Sequence, residues 1–310
     1  MKDEIVFDEA ELDKYLKIIN GVFPIENFTN NIDLKGVKKY YRDSYIGYQY
    51  LHSDEGSVHL ALNYDGIFDK EGFYGQAKEI CNVIESSDIK YVLELGCGKG
   101  FNSVYLAPKF PKVNFEGIDI TDKHLSIANI KSQNINNLEF KYGDFNEKLD
   151  FQDNSFNLIF AIEAFCYAND IKKALLEVYR ILKPKGQFLL YDGYKGEKFD
   201  KISENLKTAA MLTEKSMAVN YFEKIDVWTA AAVEIGFKIK IISDQSEPIR
   251  PNLERCQRWA RRYYKNTFLS KMLIRILPKG MLINSIAGLL MPFTVYNNAH
   301  RYYKIIIEKQ

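Results

Sequence analysis

Three glycines at alternate positions, Gly96, Gly98 and Gly100, stand in the run LELGCGKG (93–100) at the end of the apolar YVLEL (91–95). Glycine permits a tight turn and leaves backbone bare, so a ligand can lie directly against N–H groups. Where a strand ends and a helix begins, such a turn suits a nucleotide-type ligand. The pyrophosphate fingerprint GxGxxG/A does not fit, because counting from Gly96 its third glycine falls on Phe101. Acidic side chains recur at matching places. Glu94 sits at the tip of the first strand. Asp119, followed by Ile120, closes VNFEGIDI (113–120), where a carboxylate can accept from both hydroxyls of a ribose. Asp144 ends LEFKYGD (138–144), placed to take the exocyclic amine of a base whose ring Phe145 flanks. Ala161 closes FQDNSFNLIFA (151–161), whose end borders the reacting end of the ligand.

These residues need strand tips lined up at one edge of a sheet. The chain supplies strand patterns at 91–95, 113–120, 138–144, 155–164, 186–193, 237–244 and 302–308. Helical patterns alternate with them: QAKEICNVIESS, NSVYLAPKF, TDKHLSIANIKSQN with Thr121 as N-cap, IKKALLEVYRIL stopped at Lys183–Gly186, and FEKIDVWTAAAVEIG closed by Gly236. Strands alternating with helices predict an α/β fold, a doubly wound and mostly parallel seven-stranded sheet. An acidic amphipathic helix is expected over 1–20, with short helices and loops over 21–75. The expected organisation is an N-terminal helical cap (1–75), a core (76–248), a basic apolar insertion (249–300) and a final core strand (301–310).

Composition excludes several classes. With 46% hydrophobic and 27% charged residues the 310-residue chain can bury a core, so disorder is a poor reading. Cys81, Cys97, Cys166 and Cys256 are scattered, which argues against zinc and a disulfide scaffold and for a reducing, cytoplasmic setting. MKDEIVFDEAELDK has no signal-peptide pattern, and no apolar run reaches about 18 residues. Net charge is +1, yet residues 250–310 hold twelve Lys/Arg against two Asp/Glu. A basic, apolar-rich end therefore follows an acidic body.

Over about 90–245 the sequence resembles the class I S-adenosylmethionine-dependent methyltransferases, on LELGCGKG, Asp119, GDF (143–145) and ILKPKG (181–186). Within that group it is most similar to the sterol methyltransferases and related isoprenoid and small-molecule methyltransferases. The narrower resemblance rests on YYRDSYIGYQYLHSDEGSVHLA (40–61), AIEAFCYAND (161–170) and the long insertion before the last strand. It departs from the family at Tyr167, where His is usual, and at Asn169, where Pro is usual. The resemblance implies a Rossmann-like methyltransferase fold, S-adenosyl-L-methionine bound by the residues above, and a small, lipophilic methyl acceptor.

Methyl transfer from a sulfonium is an in-line displacement, so alignment does most of the work. An acceptor that must lose a proton needs a base, and an alkene acceptor passes through a carbocation. Glu163, after the fourth strand, is the candidate base or cation stabiliser, with His52 as a second catalytic candidate. The rings of Tyr40, Tyr48 and Tyr167 can steady a cation, and His59 lies in the same aromatic segment as a further substrate contact. RWARRYYKNTFLSKMLIRIL (258–277) mixes cations with large apolar residues, as a lid or an interfacial helix does. Peripheral contact with an anionic membrane is expected there, and no metal. Methylation of a soluble metabolite is the first alternative. A nucleic-acid methyltransferase is the second, disfavoured because no RNA-binding module flanks the core and no N/D-PPY tetrapeptide follows strand four.

Overall fold

The computed structural model describes residues 7–277 and 279–310. Three helices come first, α1 (Glu9–Val22), α2 (Leu34–Gly47) and α3 (Gly75–Glu85). The alternating part follows as β1 (Tyr91–Leu95), α4 (Phe101–Leu106), β2 (Asn114–Asp119), α5 (Asp122–Ser132), β3 (Leu138–Tyr142), β4 (Phe156–Ile162), α6 (Ile171–Ile181) and β5 (Leu182–Lys195). The remainder is α7 (Glu204–Ser216), α8 (Ile225–Ile235), β6 (Phe237–Asp244), α9 (Ser246–Tyr264), α10 (Thr267–Leu273), α11 (Lys279–Tyr296) and β7 (His300–Lys309).

The seven strands form one sheet in the order β3-β2-β1-β4-β5-β7-β6. β1 to β5 are parallel, and β7 is antiparallel to both its neighbours. Helices cover both faces, because the strands are apolar on both. Val92, Leu158, Phe160 and Leu189 enter one core cluster, while Leu93, Leu95, Ile159 and Leu190 enter the other. That is the period-2 alternation of a strand buried on both sides. α6 shows the complementary rule: Ala174, Leu175, Val178 and Ile181 are buried, and the Asp170 carboxylate accepts from the Lys173 N–H at 3.1 Å to cap it. Gly236 ends α8 at φ +114°, a conformation that favours glycine.

A third cluster lies beside the sheet and joins distant parts of the chain. Leu12 and Ile19 of α1, Leu212 of α7, and Ile286, Leu290 and Phe293 of α11 pack together there. The N-terminal segment and the 250–300 insertion thus form one helical body.

Several expectations are corrected. The helix expected over 1–20 begins at Glu9, and residues 1–6 lie outside the described residues. α7 has no counterpart in the sequence reading. β5 starts at Leu182, so Lys183–Gly186 runs on as strand, with an irregular register opposite Phe156 and Leu158. Thr121 precedes α5 as expected, but its hydroxyl makes no capping bond.

Candidate active site

Each glycine of the turn after β1 has its own task. Gly96 (φ +66°) passes so close to the tip of β4 that a Cβ would lie 2.5 Å from that of Ala164. Gly100 (φ +75°) starts α4, and a Cβ there would meet the Phe140 ring at 2.7 Å. Gly98 (φ +52°) faces open space, with only Val58 at 3.9 Å. Its N–H donates to Asp119 Oδ2 at 2.9 Å, while Asp119 Oδ1 accepts from the Thr121 N–H at 2.7 Å. Glu94 braces the turn from behind, accepting from Asn102 Nδ2 at 3.0 Å and from the Ser103 hydroxyl. Burial pushes the Glu94 carboxyl up to about 7.

Gly96, Gly98, Asp119, Ile120, Asp144 and Phe145 come together around a cavity of about 420 Å³, within the range of small-ligand sites. Asp144 Oδ1 accepts from the Asn146 N–H at 2.9 Å and from its side-chain amide at 3.0 Å. Phe145 stacks on Phe165 with ring centroids 5.6 Å apart. Thr121 Oγ1 is buried, lines this cavity and has no partner among the described residues. A buried orphan hydroxyl beside a carboxylate and a bare glycine is a polar cradle that a nucleoside ribose fits. Three of the expected site residues lie outside the cavity lining. Glu94 and Gly100 stand behind the turn, outside the cavity lining. Ala161 points into the core under α6, because strand alternation turns it away; Ile162, Glu163 and Ala164 line the cavity instead.

A second cavity of about 540 Å³ lies under the helical body, walled by Leu253, Leu273, Leu277, Met281, Leu282 and Met291. The two cavities share Tyr41, Glu163, Cys166, Tyr167 and Asp192 in their walls, so they meet there. Glu163 has φ +50°, strained for a side chain with a Cβ. Its Oε1 accepts from the Leu60 N–H at 2.7 Å and from the Tyr302 hydroxyl at 2.9 Å. The N-terminal segment and β7 therefore both hold it. Burial pushes its carboxyl up to about 8. Tyr167 accepts from the Tyr41 hydroxyl at 3.1 Å and donates to the Met217 carbonyl at 2.8 Å, which fixes both rings at the junction.

Tyr48 and His52 line the second cavity. Burial pushes the His52 imidazole down to about 4, so at neutral pH the ring is uncharged; its Nε2 lies 2.8 Å from the His59 carbonyl. Two substrate candidates lie elsewhere. His59 is buried, its Nε2 2.9 Å from the Phe73 carbonyl and its ring against Phe101. Tyr40 stands behind Tyr48, with hydroxyls 2.6 Å apart, and reaches neither cavity. Helical spacing explains this, since the neighbouring Tyr41 takes the cavity face.

Asp192 and Tyr302 escaped the sequence reading. Asp192 Oδ2 accepts from the Cys166 N–H and Oδ1 from the Gly193 N–H, each at 2.8 Å, and burial pushes its carboxyl up to about 6. A signal is present in the sequence, an Asp closing the apolar stretch FLLYD (188–192), although β5 runs on to Lys195. Tyr302 carries no such signal, because only the antiparallel return of β7 brings it to Glu163.

Among curated proteins, the sterol 24-C-methyltransferase of Saccharomyces cerevisiae is 29% identical over 159 residues, 50% of this chain and 41% of that protein. The chain spans about half the length of such curated relatives. Two solved structures share the fold. The [4+2]-cyclase SpnF aligns over 90% of this chain and 99% of its own at TM-score 0.68 and 16% identity. Geranyl diphosphate C-methyltransferase from Streptomyces coelicolor aligns over 87% and 98% at TM-score 0.63 and 13% identity. A family profile described as a methyltransferase domain matches residues 86–248, more than half of the chain. By that match, on a sheet whose strand tips build the glycine cradle, the protein belongs to the methyltransferase-domain family.

Proposed function

We propose that the protein transfers a methyl group from S-adenosylmethionine to a lipophilic acceptor of sterol, isoprenoid or similar lipid type. The observation that carries this reading is the junction. A nucleoside-sized cavity carrying Asp119 and Asp144 opens at Glu163 onto a larger, mainly apolar cavity rich in leucine and methionine. A soluble, polar metabolite would find few partners in the second cavity. The likeness to a sterol 24-C-methyltransferase supports the acceptor class.

S-adenosylmethionine, when bound, supplies a methyl group on a positively charged sulfur. Gly98, Asp119 and Thr121 would hold its ribose side, and Asp144 and Phe145 its base. Tyr41 and Tyr167 line the junction and Tyr48 the apolar cavity beside it, aromatic groups next to which a cation is favoured. Positive charge at the junction also favours the ionised form of Glu163, against the burial that keeps it protonated. Glu163 is then the group that takes a proton from the methylated acceptor. The neutral His52 ring forms wall, and the Leu60 N–H and Tyr302 hydroxyl keep the Glu163 carboxyl aimed inward.

In the same reading the protein works in the cytoplasm at the periphery of an anionic membrane, a placement that the basic 250–310 segment supports. The test is incubation with isotopically labelled cofactor and a lipid extract, followed by mass spectrometry. A labelled methyl on an apolar sterol or prenyl compound is the expected product. Label found only on polar amines or nucleic acid would overturn the acceptor class.

A further inference from the structure

α10 and the end of α9 form a corner where large apolar side chains stand in solvent. Phe268 and Ile276 are each 73% exposed, Leu269 51%, Trp259 46% and Met272 44%. The same corner is the outer wall of the apolar cavity, because Leu269, Leu273 and Leu277 line it from within. The corner therefore borders the cavity where it reaches solvent, for Trp259, Arg262 and Leu269 line it and are themselves exposed.

Cations surround the corner. Arg258, Arg262, Lys265, Lys271 and Arg275 are exposed, and none of them pairs with a carboxylate among the described residues. Arg262 lies over the Trp259 ring at 4.9 Å. Arg261 does the opposite, turning inward over Tyr15 and toward Glu11 at 3.9 Å. The unpaired charge is thus concentrated where the apolar side chains protrude. Among the described residues no helix is long and apolar enough to cross a membrane.

We propose that this corner docks on an anionic lipid surface and that α10 is the door through which the acceptor passes from bilayer to cavity. Phe268, Met272 and Ile276 enter the headgroup region while the surrounding cations stay with lipid phosphates. A membrane complements both the charge and the apolar surface, and it alone also holds what the cavity takes. The door rests on the lipophilic-acceptor reading; the docking does not.

The full-length protein is mixed with vesicles of phosphatidylcholine and phosphatidylglycerol in equal parts, and with phosphatidylcholine alone. Trp259 is an internal probe, since the other tryptophan, Trp228, is buried at 2% exposure. Expected are sedimentation with the anionic vesicles at low salt, a blue shift of Trp259 emission, and quenching by nitroxide-labelled lipid. Changing Lys265→Glu, Lys271→Glu and Arg275→Glu together lowers vesicle affinity by roughly tenfold or more. Phe268→Ser with Ile276→Ser removes the blue shift. Unchanged melting temperature and S-adenosylmethionine affinity show that both variants fold. Wild type that ignores anionic vesicles, or a charge-reversed variant that binds like wild type, overturns the docking. Concentration-dependent dimers that shield Trp259 would also overturn it, assigning the corner to a second copy. For the door, a photoreactive prenyl alcohol is offered in vesicles or in detergent micelles. Charge reversal should cut labelling from vesicles and spare labelling from micelles. Labelling in neither arm refutes the door together with the lipophilic acceptor, and the sedimentation result still decides the docking.

Discussion

Asp119 serves two masters: its oxygens hold the Gly98 and Thr121 N–H groups and face the cavity between them. Asp119→Ala should therefore weaken S-adenosylmethionine binding by about 1.5–3 kcal/mol, the value of hydrogen bonds to a charged group. Calorimetric affinity equal to wild type would place the ribose elsewhere. Glu163 differs in that its charge state is the variable. With its carboxyl at about 8 in the ligand-free protein, kcat/KM for the cofactor should climb with pH through that region, while kcat climbs at lower pH because the bound sulfonium favours the ionised form. Glu163→Gln should lower the rate by about 100-fold or more and flatten the climb, with cofactor affinity nearly intact. A rate profile identical to wild type removes Glu163 from the proton transfer. Positive charge arriving at the junction should also expel its proton. Titrations in buffers of different ionisation enthalpy should then show proton release on binding S-adenosylmethionine, less with the uncharged S-adenosylhomocysteine, and none from Glu163→Gln.

The turn between β1 and α4 separates packing from binding among its glycines. Gly100→Ala adds a Cβ 2.7 Å from the Phe140 ring in a left-handed backbone, so strain and clash combine. A loss of about 1–3 kcal/mol in denaturant unfolding is expected. Gly98→Ala meets no neighbour closer than 3.9 Å and should cost less stability while blocking the ligand's approach. Equal stability losses for the two would mean that the cradle is not what Gly98 serves. This turn was legible in sequence because its rules are local, as were the strands carrying Asp119, Asp144 and Glu163. What local rules could not reach were contacts set by the sheet's last crossing and by helix facing. Tyr302 meets Glu163 only because β7 runs antiparallel, and Tyr40 lost its place to Tyr41 by one step around α2. Ala161 was misread because a strand tip was treated as pointing one way, when alternate residues point to opposite faces.

For the molecule as one cooperative unit, buried carboxyls tie stability to pH. The folded Glu163 carboxyl, at about 8, lies above its ordinary 4.5, and Glu94 is raised to about 7. The fold thus binds protons that the unfolded chain releases, a stabilisation complete below about 4.5 and lost as pH rises to about 8. His52 and His59, pushed down to about 4 from 6.5, act oppositely, but only below about 6.5. Between about 6.5 and 8 the acids act alone, so ligand-free protein should unfold more easily at the upper end, by roughly 1–2 kcal/mol. Glu163→Gln should flatten this slope, and a slope unchanged in that variant would assign it to other groups. Another consequence follows from the place of β7 between β5 and β6. During synthesis, β6 and all three insertion helices leave the ribosome before the strand that joins β6 to the sheet exists. Until then β5 and β6 each offer the unpaired edge that β7 later fills, the kind that captures neighbouring chains. The hydroxyl that aims Glu163 arrives on that same late strand. Competence for chemistry and completion of the sheet are therefore one event in the life of each new chain, the docking of its residues 300–309.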